Sequence, residues 1–210
     1  VARDGKYPHV FPGLVYLMAD INEYNRIDLL SLANVEYVIS ISPVRSNRLV
    51  TLNLIAKERL GKYIAPLYIY HNESVLPRCF APDRIEVVAS EREMMSELKR
   101  RSAKEFRERA LVIRDDVERF GITKSLRNKI QVSDYGAKGD RVSFIASSEK
   151  GGLVVILNSY SPYWKVVKGG LQPEVIPVYH AFQGVYVKPG RQEVVIEYSP
   201  PYVDKLRKYL

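Results

Sequence analysis

From Arg141 to Ser147 the chain reads RVSFIAS, and Val142, Phe144 and Ala146 alternate there with Ser143 and Ser147. A period of two sends alternate side chains to opposite faces of a strand, so one face is predicted to look inward and the other outward. The same short-period character runs through the second half of the chain. RNKIQVSDYG, DRVSFIAS, GLVVILNS, WKVVKGG, EVIPVY, FQGVYVKPG and RQEVVIEY follow one another, with Gly, Pro, Asn or Asp between most of them. Seven short runs at a spacing of roughly ten residues, with no helical period among them, predict an antiparallel sandwich. KPGRQ (Lys188 to Gln192), with Pro and Gly adjacent, is predicted to be the tight turn of a hairpin.

The first half mixes periods. Asn25 is placed to cap a short helix through RIDLLSLA, whose apolar positions give it a buried face. VEYVISI (Val35 to Ile41) reads as a buried strand ended by Pro43. Between Asn47 and Leu60 the pattern is divided: LVTLNLIA alternates like a strand, whereas IAKERLGK resembles a helix end with Gly61 as its stop. APLYIYHNE is a strand ending in a polar turn, and LPRCFAPDRIEVV is a proline-punctuated link into a further strand. The charged segment EREMMSELKRRSAKEFRER (Glu91 to Arg109) is predicted to be one helix, with Glu97 and Arg101, and Glu105 and Arg109, at i,i+4 spacing. ALVI then gives a short strand. Alternating helices and strands up to about residue 115 imply a small α/β layer. The expected class is therefore α+β: an α/β subdomain over residues 1–118, then an antiparallel β-sandwich over 119–210, with the change of character near residues 115–127.

Composition adds limits. The 210 residues are 46% hydrophobic and 27% charged, which suits a packed core. No run of 18 apolar residues is present, so no stretch of this chain spans a membrane as a helix by itself. The chain opens VARDGKY without an initiator Met and reads as a piece of a longer protein. Its net charge of +8 would suit nucleic acid, anionic lipid or acidic glycan. The predicted helix holds seven of the Lys and Arg beside five Glu, with Phe106 its single aromatic and no nucleic-acid motif, so no nucleic-acid partner is expected. A lone Cys79 forms no intramolecular disulfide. His9, His71 and His180 stand far apart with no metal-ligand spacing, and neither GxSxG nor a Walker loop occurs. Asp115 and Asp116 are adjacent and would point apart. No catalytic residue, metal or cofactor is expected in this chain.

The residues that invite a ligand lie in NSYSPYWKVVKGG (Asn158 to Gly170), which holds the single tryptophan. Tyr160, Tyr163 and Trp164 could stack on the apolar C–H face of a sugar, because each offers a flat body with a polar tip. Alternatively Trp164 fills the gap between two sheets and anchors the loop, leaving Tyr163 to meet solvent. Arg78, in LPRCF, is a second candidate: a guanidinium on a rigid proline turn can present its fork to a carboxylate or phosphate. The alternative there is an internal ion pair that fastens the subdomains.

YIYHNESVLPRCF, NSYSPYWKVV and AFQGVYVKPGRQEVVIEYSPP together resemble the C-terminal extracytoplasmic region of YfhO-type bacterial integral-membrane proteins. The landmarks fall on Tyr70, Asn72, Leu76, Pro77 and Arg78, then on Tyr160, Pro162, Trp164 and Lys165. The last set is Val187, Pro189, Gly190, Glu193, Val194, Tyr198 and Pro200. The resemblance covers residues from about 29 to 200. It departs from the pattern at Tyr163, where a glycine is usual, and at Lys168 to Gly170, where an Asp-Gly turn is usual. It implies a membrane-embedded glycosyltransferase using polyprenyl-phosphate sugars, with its catalytic acid in a membrane part outside these residues. The chain would then be an accessory domain on the extracytoplasmic face of the cytoplasmic membrane. Its implied partners are its own transmembrane region and a cell-envelope glycan or lipid-linked sugar. Lys205, Arg207 and Lys208 would lie near lipid headgroups. The alternative is a free-standing carbohydrate-binding sandwich.

Overall fold

A computed structural model of the protein describes residues 27–40, 44, 49–60, 63–121 and 129–202. Asn25, Pro43 and Gly61, named above as a cap and two stops, lie outside them. By compactness the chain divides into one unit of Val1–Leu76 with Lys99–Ala103 and a second of Pro77–Leu98 with Lys104–Leu210. The change of character near residues 115–127 falls inside the second unit.

In the first unit, helix α1 (Ile27–Leu32) precedes the antiparallel strands β1 (Tyr37–Ser40), β2 (Leu49–Leu60) and β3 (Tyr63–Asn72), in the order β1-β3-β2. Ile27, Leu29, Leu30 and Leu32 of α1 are buried, and Ile27 and Leu30 pack with Val44 and Tyr70. The helical reading of IAKERLGK is corrected here, because residues through Leu60 belong to β2 and pair with β3. Strand pairing outweighs the helix propensity of Ala, Lys, Glu, Arg and Leu in that segment. Two register shifts, at Thr51/Asn53 and Ile55/Glu58, interrupt the ladder. Asn72 locks the unit at one buried point. Its Nδ2 donates to the Val35 carbonyl at 2.9 Å and to Ser31 Oγ at 3.0 Å, and its Oδ1 accepts from the Ser74 N–H at 3.0 Å.

The second unit holds the α/β layer and the sandwich. After β4 (Cys79–Phe80), strand β5 (Arg84–Val88) leads into helices α2 (Glu91–Arg100) and α3 (Ala103–Glu108), and β6 (Arg109–Ile113) returns parallel to β5. A parallel pair needs such a crossover. The single helix expected over Glu91 to Arg109 is thus two. Residues 101 and 102 are not helical and Arg109 already lies in β6, so Glu105 and Arg109 do not share one helix. Helix α4 (Arg114–Phe120) follows, with Asp115 and Asp116 in its positive first turn. It stops at Gly121, whose φ of 61° puts it in the left-handed region while its N–H donates to the Val117 carbonyl.

All seven predicted strands of the second half are present: β7 (Gln131–Lys138), β8 (Arg141–Ser148), β9 (Gly152–Ser159), β10 (Trp164–Lys168), β11 (Ile176–Val178), β12 (Phe182–Val187) and β13 (Gly190–Tyr198). They form two four-stranded antiparallel sheets, β10-β13-β8-β7 and β11-β12-β9-β4, so the α+β class with a sandwich holds. Between them lies a core of Val142, Phe144, Ala146, Val154, Ile156, Val185, Val187, Val194 and Ile196. The alternation in RVSFIAS is the cause: Val142, Phe144 and Ala146 take the inner face. β9 and β12 show no such alternation, being buried throughout up to Leu157 and Val187. Their sheet is covered on its second face by the α/β layer, where the Tyr179 N–H donates to the Leu111 carbonyl at 2.9 Å and the Phe106 and Tyr179 rings meet edge to face. KPGRQ is corrected as well. It joins β12 of one sheet to β13 of the other, so it is a corner between sheets and not a hairpin.

Candidate functional site

The loop from Tyr160 to Trp164 is shaped by short-range bonds. The Tyr160 N–H donates to the Ala181 carbonyl at 2.7 Å, the Tyr163 N–H to Ser161 Oγ at 3.3 Å, and the Trp164 N–H to the Ser161 carbonyl at 3.2 Å. Such local bonds from serine compete with regular structure and close the turn. The chain then enters β10, where Trp164 pairs with Tyr198 and Val166 with Ile196. Ile196 faces the sandwich core, so residues opposite and two positions along share that face. Trp164 accordingly packs, half-buried, against the end of the core cluster.

Tyr198 joins the aromatic side chains. Its ring lies 5.4 Å from Trp164, tilted, and 6.2 Å from Tyr163 in an edge-to-face arrangement, both within the favourable range for aromatic pairs. Tyr163 remains 41% exposed and Tyr202, hydrogen-bonded to Tyr198, 59% exposed. Slight desolvation and, after it, the neighbouring Tyr198 push the pKa of the Tyr202 phenol upward. The Ser199 N–H donates to the Tyr163 carbonyl at 3.0 Å and ties the two segments together. A half-buried Trp164 thus carries Tyr198, and Tyr198 contacts the exposed Tyr163 and Tyr202. Tyr198 stood in the sequence as a landmark of the resemblance, but nothing there placed it or Tyr202 beside Trp164, because that proximity is made by the β10–β13 pairing.

Behind the shelf, β10 reaches Gly169, whose φ is 79° and where an added Cβ would run into the Glu193 carbonyl oxygen. That approach leaves room only for glycine at 169, and at Gly170 an added Cβ would meet Val166 Cγ1 at 2.5 Å. Lys168 Nζ lies 2.6 Å from Glu193 Oε2, and this bond holds the Glu193 carboxyl below its ordinary pKa.

The other two predicted residues stand apart. Tyr160 packs against the sandwich core, and burial raises the pKa of its phenol, with the Arg119 charge opposing and Asp116 reinforcing. Asp116 is itself raised, first by desolvation. Arg78 is exposed and bound to the other sheet: its Nη1 donates to the Leu157 carbonyl at 3.0 Å, and the Leu157 N–H donates to the Arg78 carbonyl at 2.8 Å. Tyr163 and Trp164 therefore form one site with Tyr198, while Tyr160 and Arg78 are placed elsewhere. Among the described residues no cluster of three or more His, Cys, Asp or Glu is arranged to hold a metal ion, and no helix is long and apolar enough to cross a membrane. No family model, curated protein or solved structure matches the chain.

Proposed function

We propose that this chain is an extracytoplasmic accessory domain of a YfhO-type membrane-embedded glycosyltransferase, and that it holds or orients a cell-envelope glycan acceptor. The observation that carries the binding half of this reading is the Tyr163–Tyr198–Trp164 shelf: an exposed phenol ring fixed edge to face on a second ring, which rests on the anchored indole. A ring already held in place loses little freedom when a sugar stacks on it, so weak C–H contacts need not offset a large ordering cost. The phenol hydroxyls of Tyr163 and Tyr202 can bond sugar hydroxyls at the rim. The membrane half rests on the resemblance set out above, which also puts catalysis in the membrane part.

The test is titration of Trp164 fluorescence with cell-envelope glycan fragments. Because the chain has a single tryptophan, the signal reports this loop alone. A saturable change is expected, and Tyr163→Ala should abolish it while leaving the melting temperature in place. Emission that no glycan moves would overturn the acceptor role. A full reading frame without membrane-spanning helices would remove the membrane half and leave a free-standing carbohydrate-binding sandwich.

A further inference from the structure

A second feature lies at the opposite end of the β10-β13-β8-β7 sheet. Strand β8 runs from Arg141, which pairs with Glu197 beside the aromatic shelf, to Ser148, which pairs with Gly190. At about 3.4 Å per residue the two ends stand roughly 24 Å apart. At the Ser148 end, an open groove of about 890 Å³ is lined by Lys129, Gln131, Ser147, Ser148, Glu149, Lys150, Gly190 and Arg191. No apolar side chain is among them. A typical ligand pocket of this size is mostly apolar with a few polar groups, so whatever occupies this one must be recognised by charge and hydrogen bonds.

The register explains how the groove is built. Gln131 pairs with Ser147, and Ser147 with Arg191, so these three residues form one row across three strands. Val142, Phe144 and Ala146 take the inner face of β8, which puts Ser147 and its two neighbours on the outer one. The turn after β8 adds Glu149 and Lys150, and the approach to β7 adds Lys129. Three cations against one carboxylate leave a net charge of +2. Two other cations of this sheet are paired, Arg141 with Glu197 at 3.0 Å and Lys168 with Glu193 at 2.6 Å. Lys129, Lys150 and Arg191 form no such pair among the described residues. Ser148 Oγ is occupied by Gly151, whose N–H it accepts at 3.1 Å, and this closes the turn that carries Lys150.

We infer that this groove binds a doubly charged phosphate group, with the Arg191 guanidinium and the Lys129 and Lys150 ammoniums as its cationic wall and Ser147 and Gln131 as hydrogen-bonding groups. A guanidinium fork matches two phosphate oxygens, while lysines act as adjustable point charges. Glu149 at the rim opposes the anion and limits affinity. The site is independent of the aromatic shelf, so either reading can fail without the other.

The test uses inorganic pyrophosphate, followed by the amide resonances of residues 147–150 and 190–191 and by calorimetry. Saturable binding that weakens with added salt is expected. The double variant Lys150→Gln, Arg191→Gln should weaken it about tenfold or more, since charge-assisted bonds are the strong ones. Glu149→Gln should tighten it, an effect that a purely structural role for these residues would not produce. Lys138→Gln, at the far end of β7, should change nothing. A parallel arm uses vesicles of phosphatidylcholine and phosphatidic acid in equal parts, because the phosphate monoester of phosphatidic acid can carry the double charge. Co-sedimentation that pyrophosphate competes away would identify a lipid headgroup as the source of the phosphate, and pyrophosphate binding without co-sedimentation a free ligand. Absence of saturable pyrophosphate binding, or equal loss in the Lys138→Gln control, would overturn the proposal.

Discussion

Asn72 shows how one side chain can hold a segment that carries little regular structure. Its amide satisfies the Val35 carbonyl, Ser31 Oγ and the Ser74 N–H from a position with no solvent exposure. Asn72→Ala removes the bonds to the Val35 carbonyl and the Ser74 N–H and leaves Ser31 Oγ only its bond to the Ile27 carbonyl at 2.8 Å, and each unmet buried polar group costs about 1–3 kcal/mol. A loss of about 3 kcal/mol is therefore expected, read as a lower urea midpoint for the first unit by hydrogen exchange at β3. Cys79 illustrates a different single-residue effect. Desolvation raises its thiol pKa to about 12, so it stays protonated at neutral pH and is a poor nucleophile. Alkylation by iodoacetamide at pH 8 is expected to be slow in the folded protein and fast in denaturant. The linkage sign follows. Above the ordinary thiol pKa of about 8.5 the unfolded chain loses the proton that the folded chain keeps, so stability falls as pH rises from there toward 12. A urea midpoint that stayed level over that interval in the wild type and in Cys79→Ala alike would contradict the assigned burial.

At the scale of elements, alternation and turn residues made the sandwich legible. Every strand from β7 to β13 could be read from its own few residues. What could not be read was pairing. KPGRQ has the composition of a hairpin turn, yet its flanking strands find partners in different sheets, and no local feature announces that. IAKERL is made of residues that favour a helix end, yet the antiparallel partner β3 draws it into a strand. The buried strand β12 shows the tightest constraint. A Cβ at Gly184 would stand 2.6 Å from Val178 Cγ2, 2.8 Å from Ile176 Cγ1 and 3.0 Å from Leu153 Cδ1. These belong to β11 and β9 on either side, so Gly184→Ala must push three packed side chains outward. Overpacking of this kind costs about 1–3 kcal/mol, and calorimetric melting should show it. A melting temperature equal to wild type would mean that β11 shifts freely.

For the whole molecule, the sites follow from where the two sheets of the second unit end. Tyr163 and Trp164 were legible as candidates because they are adjacent in sequence. Tyr198 was not, since only the β10–β13 pairing brings it to Trp164, and Lys129, Lys150 and Arg191 meet only because three strand ends meet. The +8 charge did not say where on the chain an anion would bind, and the cations that line a groove lie on the sandwich. Trp164 gives one readout that separates structure from binding across this unit, because it touches both the core cluster and the shelf. Phe144 is 1% exposed at the centre of that cluster, and its replacement by alanine removes a large buried ring and leaves a cavity. Phe144→Ala should cost about 3–5 kcal/mol and move the urea midpoint of Trp164 emission down accordingly. Tyr163→Ala removes a ring that is 41% exposed, so the same midpoint should stay within about 0.5 kcal/mol of wild type. If Tyr163→Ala instead lowered the midpoint as far as Phe144→Ala, the tyrosine would be part of the core, and its loss could no longer be read as loss of a glycan contact.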